Sequence, residues 1–194
     1  RRFIYSNIAS GFRSEMYHYA DKDKPVVYVL WKRGETEALI STTLRVRVMP
    51  DSGSGKKYFT FERIPKSTDA PQPGWDVEVS GYNHAYLDGT WECILTASGN
   101  GGFIVTEDVH LREAPDQGYQ KSISFRSSDY GPHERPDRVR VYFRGDNGKK
   151  FAAFRLTCGF SPSDGEYSVL LRPVVINPRG SRNLDFDENK KIRK

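Results

Sequence analysis

Apolar and polar residues alternate along this chain in short runs that end at Gly, Pro, Asp and Asn. In residues 71–82, Trp75, Val77 and Val79 are separated from one another by single polar residues. Side chains two positions apart lie on the same face of a β-strand, so this run is typical of a strand with one buried face. It predicts that Trp75, Val77 and Val79 face the core.

The clearest alternation lies in the third quarter of the chain. Val139, Val141 and Phe143 alternate there with arginine and tyrosine, and the turn residues 145–148 lead into another apolar run that contains Leu156. An Asp-Asn-Gly turn between two such runs indicates a β-hairpin. Val139, Val141, Phe143 and Leu156 therefore join the predicted core.

The pattern as a whole predicts an all-β protein. No apolar repeat with a period of 3.6 residues reaches helical length, and about ten to twelve short strands are separated by turn residues, which favours an antiparallel β-sandwich of jelly-roll or Greek-key type with a smaller cap-like region. Residues 26–32 and 39–48 predict another hairpin. We assign residues 1–188 to the sandwich, place the cap subdomain within residues 80–135, and assign residues 189–194 to a basic, frayed tail.

Composition narrows the class of protein. The 194 residues are 28% charged and 13% aromatic, with a net charge of +5, which is typical of a folded chain and permits weak association with anionic partners. No apolar run approaches the roughly 18 to 20 residues of a membrane-spanning helix, so we predict no membrane insertion. The chain begins at Arg1, and we expect a processed product or a segment of a longer polypeptide.

The two cysteines, Cys93 and Cys158, are too few for a disulfide scaffold. Both lie in apolar strand patterns, which leaves two alternatives open: reduced thiols in the core, or one disulfide between sheets. No asparagine is followed two positions later by Ser or Thr, which argues against a heavily glycosylated ectodomain.

No stretch carries a catalytic signature. The sequence Ser-Gly-Lys-Lys at residues 54–57 lacks the earlier glycine and the final Ser or Thr of a phosphate-binding loop, and the four histidines lack metal-binding spacing. No Gly-x-Ser-x-Gly elbow is present. We predict a protein that is not an enzyme and has no metal or cofactor; His84 and His110 converging with acidic residues in one pocket would contradict this.

Arginines on the polar faces of alternating strands are the main candidates for binding. Rows of guanidinium groups bind phosphate or acidic glycans, although arginines also simply keep sheet faces soluble and edges unpaired. Tyrosines in loop-rich stretches suit contacts with proteins or sugars. The predicted binding residues are Arg45, Arg47, Tyr82, Tyr86, Tyr130, Arg138 and Arg140.

Residues 2–5, 16–23, 73–82 and 140–160 resemble, in the same order along the chain, segments of the readthrough domain of luteovirus, polerovirus and enamovirus minor capsid proteins. Residues 73–82, PGWDVEVSGY, are similar to that domain's Pro-x-Gly-x-Trp-Ser-Val-Glu-Ile-Ser-Cys-Glu-Gly-Tyr segment, although the Cys-Glu is missing. Residues 2–5 resemble its Arg-Phe-Ile-Ala-Tyr opening, residues 16–23 its Arg-Tyr-Ile-Glu-Asp-Glu stretch, and residues 140–160 a strand pair near its end. Residues 89–119 do not align.

The resemblance implies a jelly-roll with a smaller cap, displayed on an icosahedral plant virus assembled in the host cytoplasm. It implies a homodimer attached to the capsid shell through an upstream coat segment. The domain would contact host and aphid-vector proteins during transmission. We therefore predict a non-enzymatic virion surface domain that does not bind nucleic acid. The alternative is an extracellular protein, namely a secreted or cell-surface Ig-like or carbohydrate-binding module.

Overall fold

The computed structural model describes residues 2–3, 12–13, 18–19, 31–32, 39–48, 55–61, 67–84, 89–106, 112–130, 139–160 and 167–185. The chain forms two compact units, residues 1–36 and residues 37–194. Among the described residues, no helix has the length and apolar character needed to cross a membrane. The predicted tail at residues 189–194 lies outside the described part.

Short strand pairs make up the described part of the first unit. Its strands are β1 (Arg2–Phe3), β2 (Phe12–Arg13), β3 (His18–Tyr19) and β4 (Trp31–Lys32). Strand β1 pairs antiparallel with β3, and β2 pairs antiparallel with β4.

The second unit contains two antiparallel sheets of five strands each. Its strands are β5 (Ile40–Val48), β6 (Lys57–Phe59), β7 (Ser67–Thr68), β8 (Val77–His84), β9 (Thr90–Ala97), β10 (Gly102–Thr106), β11 (Ser122–Arg126), β12 (Arg140–Gly145), β13 (Lys150–Phe160) and β14 (Tyr167–Asn177). A short helix, α1 (Ser127–Tyr130), follows β11, and a 3-10 turn (Asp146–Gly148) joins β12 to β13. The first sheet has the order β10-β12-β13-β14-β5, and the second has the order β11-β9-β8-β6-β7.

The predicted all-β antiparallel sandwich is confirmed. Strands β12, β13 and β14 are consecutive neighbours, while β5, far away in sequence, lies beside β14. The order β5-β14-β13-β12 is that of a Greek key. Residues 80–135, where a cap was expected, supply strands to both sheets.

The main core fills the space between the two sheets. Alternate residues of both sheets meet there, as the period of two requires. Its fully buried members include Val46, Val48, Val77, Val79, Trp91, Cys93, Leu95, Phe103, Val141, Phe143, Leu156, Cys158, Val169 and Leu171. Val139 is half-buried and packs against this core.

Trp75 differs from its predicted core position. It is only half-buried, and its ring meets that of Tyr58 edge to face, with centroids 5.3 Å apart. Because β8 begins at Val77, the alternation does not extend back to Trp75, and the next residue, Asp76, takes the buried position instead. Its carboxylate accepts hydrogen bonds from the Phe61 amide at 2.6 Å and from Lys150 Nζ at 3.0 Å.

The predicted hairpin between residues 26–32 and 39–48 is wrong where the structure describes it. Strand β4 pairs with β2, and β5 pairs with β14. Strand periodicity identifies a buried face, but it does not identify the neighbouring strand.

A second, smaller core covers one end of the outer face of the first sheet. Segments 112–120 and 181–185 lie over it, held together by hydrogen bonds from the Ala114 amide to the Arg182 carbonyl (2.8 Å) and from the Leu184 amide to the Arg112 carbonyl (2.9 Å). The buried members of this second core are Leu39, Ala114, Tyr142, Phe151, Ala153, Val175 and Leu184. The other end of the same face carries arginines.

Candidate functional site

An arginine cluster occupies the outer face of the first sheet, at the end away from the second core. We call it the arginine face, and it consists of Arg45, Arg47, Arg140, Arg155 and Arg172. All but the half-buried Arg140 are exposed.

Strand β5 positions two of these arginines at the edge of the sheet. Leu44, Val46 and Val48 point into the main core, so the alternate residues Arg45 and Arg47 point outward. Both are exposed. They lie at the level of Leu170 and Ser168 on the neighbouring strand β14.

The central strands contribute Arg140 and Arg155, which lie directly opposite each other in the β12–β13 pair. The neighbouring residues Val141 and Phe154 are buried in the main core. The Arg140 guanidinium lies over the Tyr142 ring, 5.2 Å from its centroid. Two like charges in opposite positions repel each other across a strand pair.

Arg172 lies where the pairing of β14 shifts between Leu171 and Val174, and its side chain is exposed. It therefore lies between the central and edge arginines. Strands in a sheet are about 4.8 Å apart, so the axes of β13 and β5 are separated by about 10 Å, and Arg45 lies two residues further along the sheet than the level of Arg155.

The strands of the first sheet carry positive charge alone. None of the five contains Asp or Glu, whereas they hold seven basic residues: Arg45, Arg47, Arg140, Arg144, Lys150, Arg155 and Arg172. Lys150 is turned toward Asp76, and the Arg144 guanidinium lies 4.3 Å from the centroid of the Tyr119 ring. The other five form the arginine face.

The outer face of the second sheet is different because its charges are matched. Arg126 Nε donates to Glu92 at 2.6 Å, and Lys56 Nζ lies 2.9 Å from Glu78. The hydrogen bond to Glu92 raises the pKa of Arg126, as does the negative charge of the same carboxylate.

The structure brings together only some of the predicted binding residues. Arg45, Arg47 and Arg140 share the arginine face, while Tyr82 lies on the second sheet beside His84, with ring centroids 5.2 Å apart. Tyr130 is half-buried against Trp91 and Phe125. Tyr86 and Arg138 lie outside the described residues.

Arg155 and Arg172 were missing from the predicted site. Arg155 stands between inward-facing Phe154 and Leu156, and this alternation is visible in the sequence. Arg172 lies at a register shift that no periodicity reveals.

The described residues contain no group of three or more His, Cys, Asp or Glu side chains that could hold a metal ion. His84 lies exposed on the second sheet, and His110 lies outside the described part. Comparisons with protein-family models, with curated proteins and with solved structures find no match for this chain. Its function must therefore be inferred from its surface.

Proposed function

We propose that this chain is a non-enzymatic binding domain on the surface of a virion, where its arginine face contacts acidic segments of host or vector proteins. The observation that carries the proposal is the clustering of five arginines on one sheet face whose strands contain no acidic residue. The ordered resemblance to readthrough domains supports the virion location. On the same basis, the domain is a homodimer attached to the capsid through an upstream coat segment.

An acidic protein segment suits the geometry of this surface. Each guanidinium can donate two parallel hydrogen bonds to a carboxylate. Strand pairing fixes the backbone spacing of the arginines, so binding orders their side chains but not the strands that carry them.

A secreted or cell-surface module, Ig-like or carbohydrate-binding, is the second candidate. The neighbouring Tyr82 and His84 rings on the second sheet favour it, because aromatic side chains with a polar group suit contacts with sugars and proteins. Two cysteines on opposite sheets also favour it, since Ig domains join their sheets in this way.

The test uses a triple variant, Arg45→Ser, Arg155→Ser and Arg172→Ser. Binding of a glutamate-rich peptide should weaken about tenfold or more, the effect of losing three exposed charge pairs of about 0.5 kcal/mol or more each. Calorimetry or fluorescence anisotropy at low salt measures the dissociation constant, and heparin serves as the sulfated-glycan probe.

The matched control removes the same charge elsewhere, through Lys56→Ser, Lys121→Ser and Lys149→Ser. An equal loss of peptide binding in both variants would show that binding depends on the net charge of the protein and not on the arginine face. Loss of heparin binding alone would favour the glycan-binding candidate. The virion location is tested separately: the reading frame should continue upstream, through one stop codon, into a basic coat-like sequence. Light scattering that gives a monomer would contradict the dimer.

A further inference from the structure

The main core contains two cysteines, one from each sheet of the sandwich. Cys93 lies on β9 of the second sheet, and Cys158 lies on β13 of the first sheet. Both are fully buried, and both belong to the main core. Each therefore points inward from its own sheet toward the opposite one.

The two thiols are neighbours in the core but are not joined by a disulfide. Both cysteines are free and buried. The hydrogen bond to Cys158, followed by burial, raises the pKa of the Cys93 thiol well above its ordinary value. The native core thus holds the pair in its neutral, unreactive form.

We propose that Cys93 and Cys158 form a modification site at which a low-molecular-weight disulfide, such as oxidised glutathione, converts two core thiols into a covalent link between the sheets. This inference stands apart from the proposed binding function, since neither cysteine lies on the arginine face.

The chemistry is thiol–disulfide exchange in two steps. One cysteine thiolate attacks a sulfur of the oxidised glutathione, whose S–S bond breaks and releases one glutathione thiolate. The second cysteine thiolate then attacks the cysteine sulfur of the mixed disulfide and releases the other glutathione. Two protein thiols are oxidised, one glutathione disulfide is reduced to two thiols, and the two protons pass to those products.

Burial determines when this reaction occurs. Oxidised glutathione cannot reach two fully buried sulfurs in the closed sandwich, so the exchange requires folding or transient separation of the sheets. After closure, the link joins residues about 65 positions apart and restricts the unfolded chain, which stabilises the folded state.

The test compares reduced and oxidised protein. The full chain is incubated with excess oxidised glutathione at a urea concentration within its unfolding transition, and is then refolded by dilution. The intact mass should fall by the two hydrogens lost, and a digest without reductant should join the peptides of Cys93 and Cys158. The cross-linked protein should melt about 10 °C higher than the reduced protein, as expected for a disulfide of this loop length.

Single variants Cys93→Ala and Cys158→Ala serve as controls and should acquire at most one glutathione and no rise in melting temperature. The double variant, Cys93→Ala with Cys158→Ala, should melt alike with and without oxidant. Glutathione adducts without a cross-link, disulfides between chains only, or a cross-linked chain that melts at or below the temperature of the reduced chain would each overturn the proposal.

Discussion

The outer faces of the two sheets arrange their charged side chains in opposite ways. On the second sheet, Arg126 faces Glu92, and Lys56 lies beside Glu78, so positive and negative groups neutralise each other. On the first sheet, Arg140 faces Arg155, and the strands offer no carboxylate to separate them.

The two faces differ in which charges lie opposite each other on neighbouring strands. Matched pairs across strands stabilise a sheet modestly, whereas like charges in opposite positions destabilise it. The Arg140–Arg155 pair of the first sheet lacks this cross-strand stabilisation. The acidic ligand proposed above would reduce the repulsion between these two guanidinium groups.

The largest expected effect concerns Lys150, whose ammonium group lies 3.0 Å from the buried Asp76 carboxylate. Replacing Lys150 by Met leaves the Asp76 carboxylate, 5% exposed, without its cation. We expect a loss of about 3 kcal/mol in the free energy of unfolding, the lower part of the range for breaking a buried pair, because Lys150 is itself partly exposed. Urea denaturation measures the change.

Two further variants show whether burial is the cause. Lys56→Met removes a cation from the second sheet's outer face and should have a much smaller effect, because water replaces it. Adding Asp76→Asn to Lys150→Met should recover part of the loss, since the unpaired charge is then removed. Equal losses for Lys150→Met and Lys56→Met would show that the inner pair is no stronger than the outer one.

The next prediction reverses one charge on each face. Arg155→Glu places a carboxylate opposite Arg140 and should raise the free energy of unfolding by about 0.2–1 kcal/mol, while it weakens binding of the glutamate-rich peptide. The Arg155→Glu protein would then be more stable than the original and bind the glutamate-rich peptide less tightly.

Arg126→Glu is the matched change on the second sheet. It alters the net charge by the same amount but places a carboxylate opposite Glu92, and it should lower the free energy of unfolding. If both variants shift stability in the same direction, overall charge rather than local pairing governs these faces, and the contrast between the sheets fails. Chemical denaturation of both proteins in one low-salt buffer provides the measurement.

The sequence alone could predict which arginines point outward from their strands. A period of two determines which side chains share a face, and therefore Arg45, Arg47 and Arg140 could be assigned outward positions from the sequence. The same rule fails at Trp75, which precedes the start of β8: the alternation predicts an inward Trp75 and an outward Asp76, but Asp76 is the buried residue of the two.

The composition of the arginine face also depends on which strands pair, and these strands are distant in the sequence. Nothing local to β5 indicates that β14 is its neighbour, and only this pairing brings Arg172 close to Arg45 and Arg47. The contact between Cys93 and Cys158 depends likewise on how two sheets pack, which strand patterns leave open. Long-range partners follow from the whole core rather than from any one segment.

The smallest expected effect separates the two ends of the first sheet's outer face, one covered and one bearing arginines. Tyr119 belongs to the covered end, where its hydroxyl donates to the Pro115 carbonyl at 2.8 Å. Burial raises the pKa of Tyr119 to about 12, and the nearby Arg144 opposes this shift. Unfolded tyrosine ionises near pH 10, so between pH 10 and 12 the unfolded chain releases a proton that the folded chain retains.

The stability supplied by the neutral Tyr119 is therefore complete below about pH 10 and is lost as the pH rises toward 12. Because the ring is only half-buried, we expect about 0.5 kcal/mol per pH unit from this residue, less than the full linkage value. Tyr119→Phe lacks the 2.8 Å hydrogen bond at every pH and should therefore show a shallower fall than the original protein over this interval. Urea denaturation at several alkaline pH values measures both slopes; parallel curves would mean that Tyr119 is as open to water as the arginine end of the same sheet.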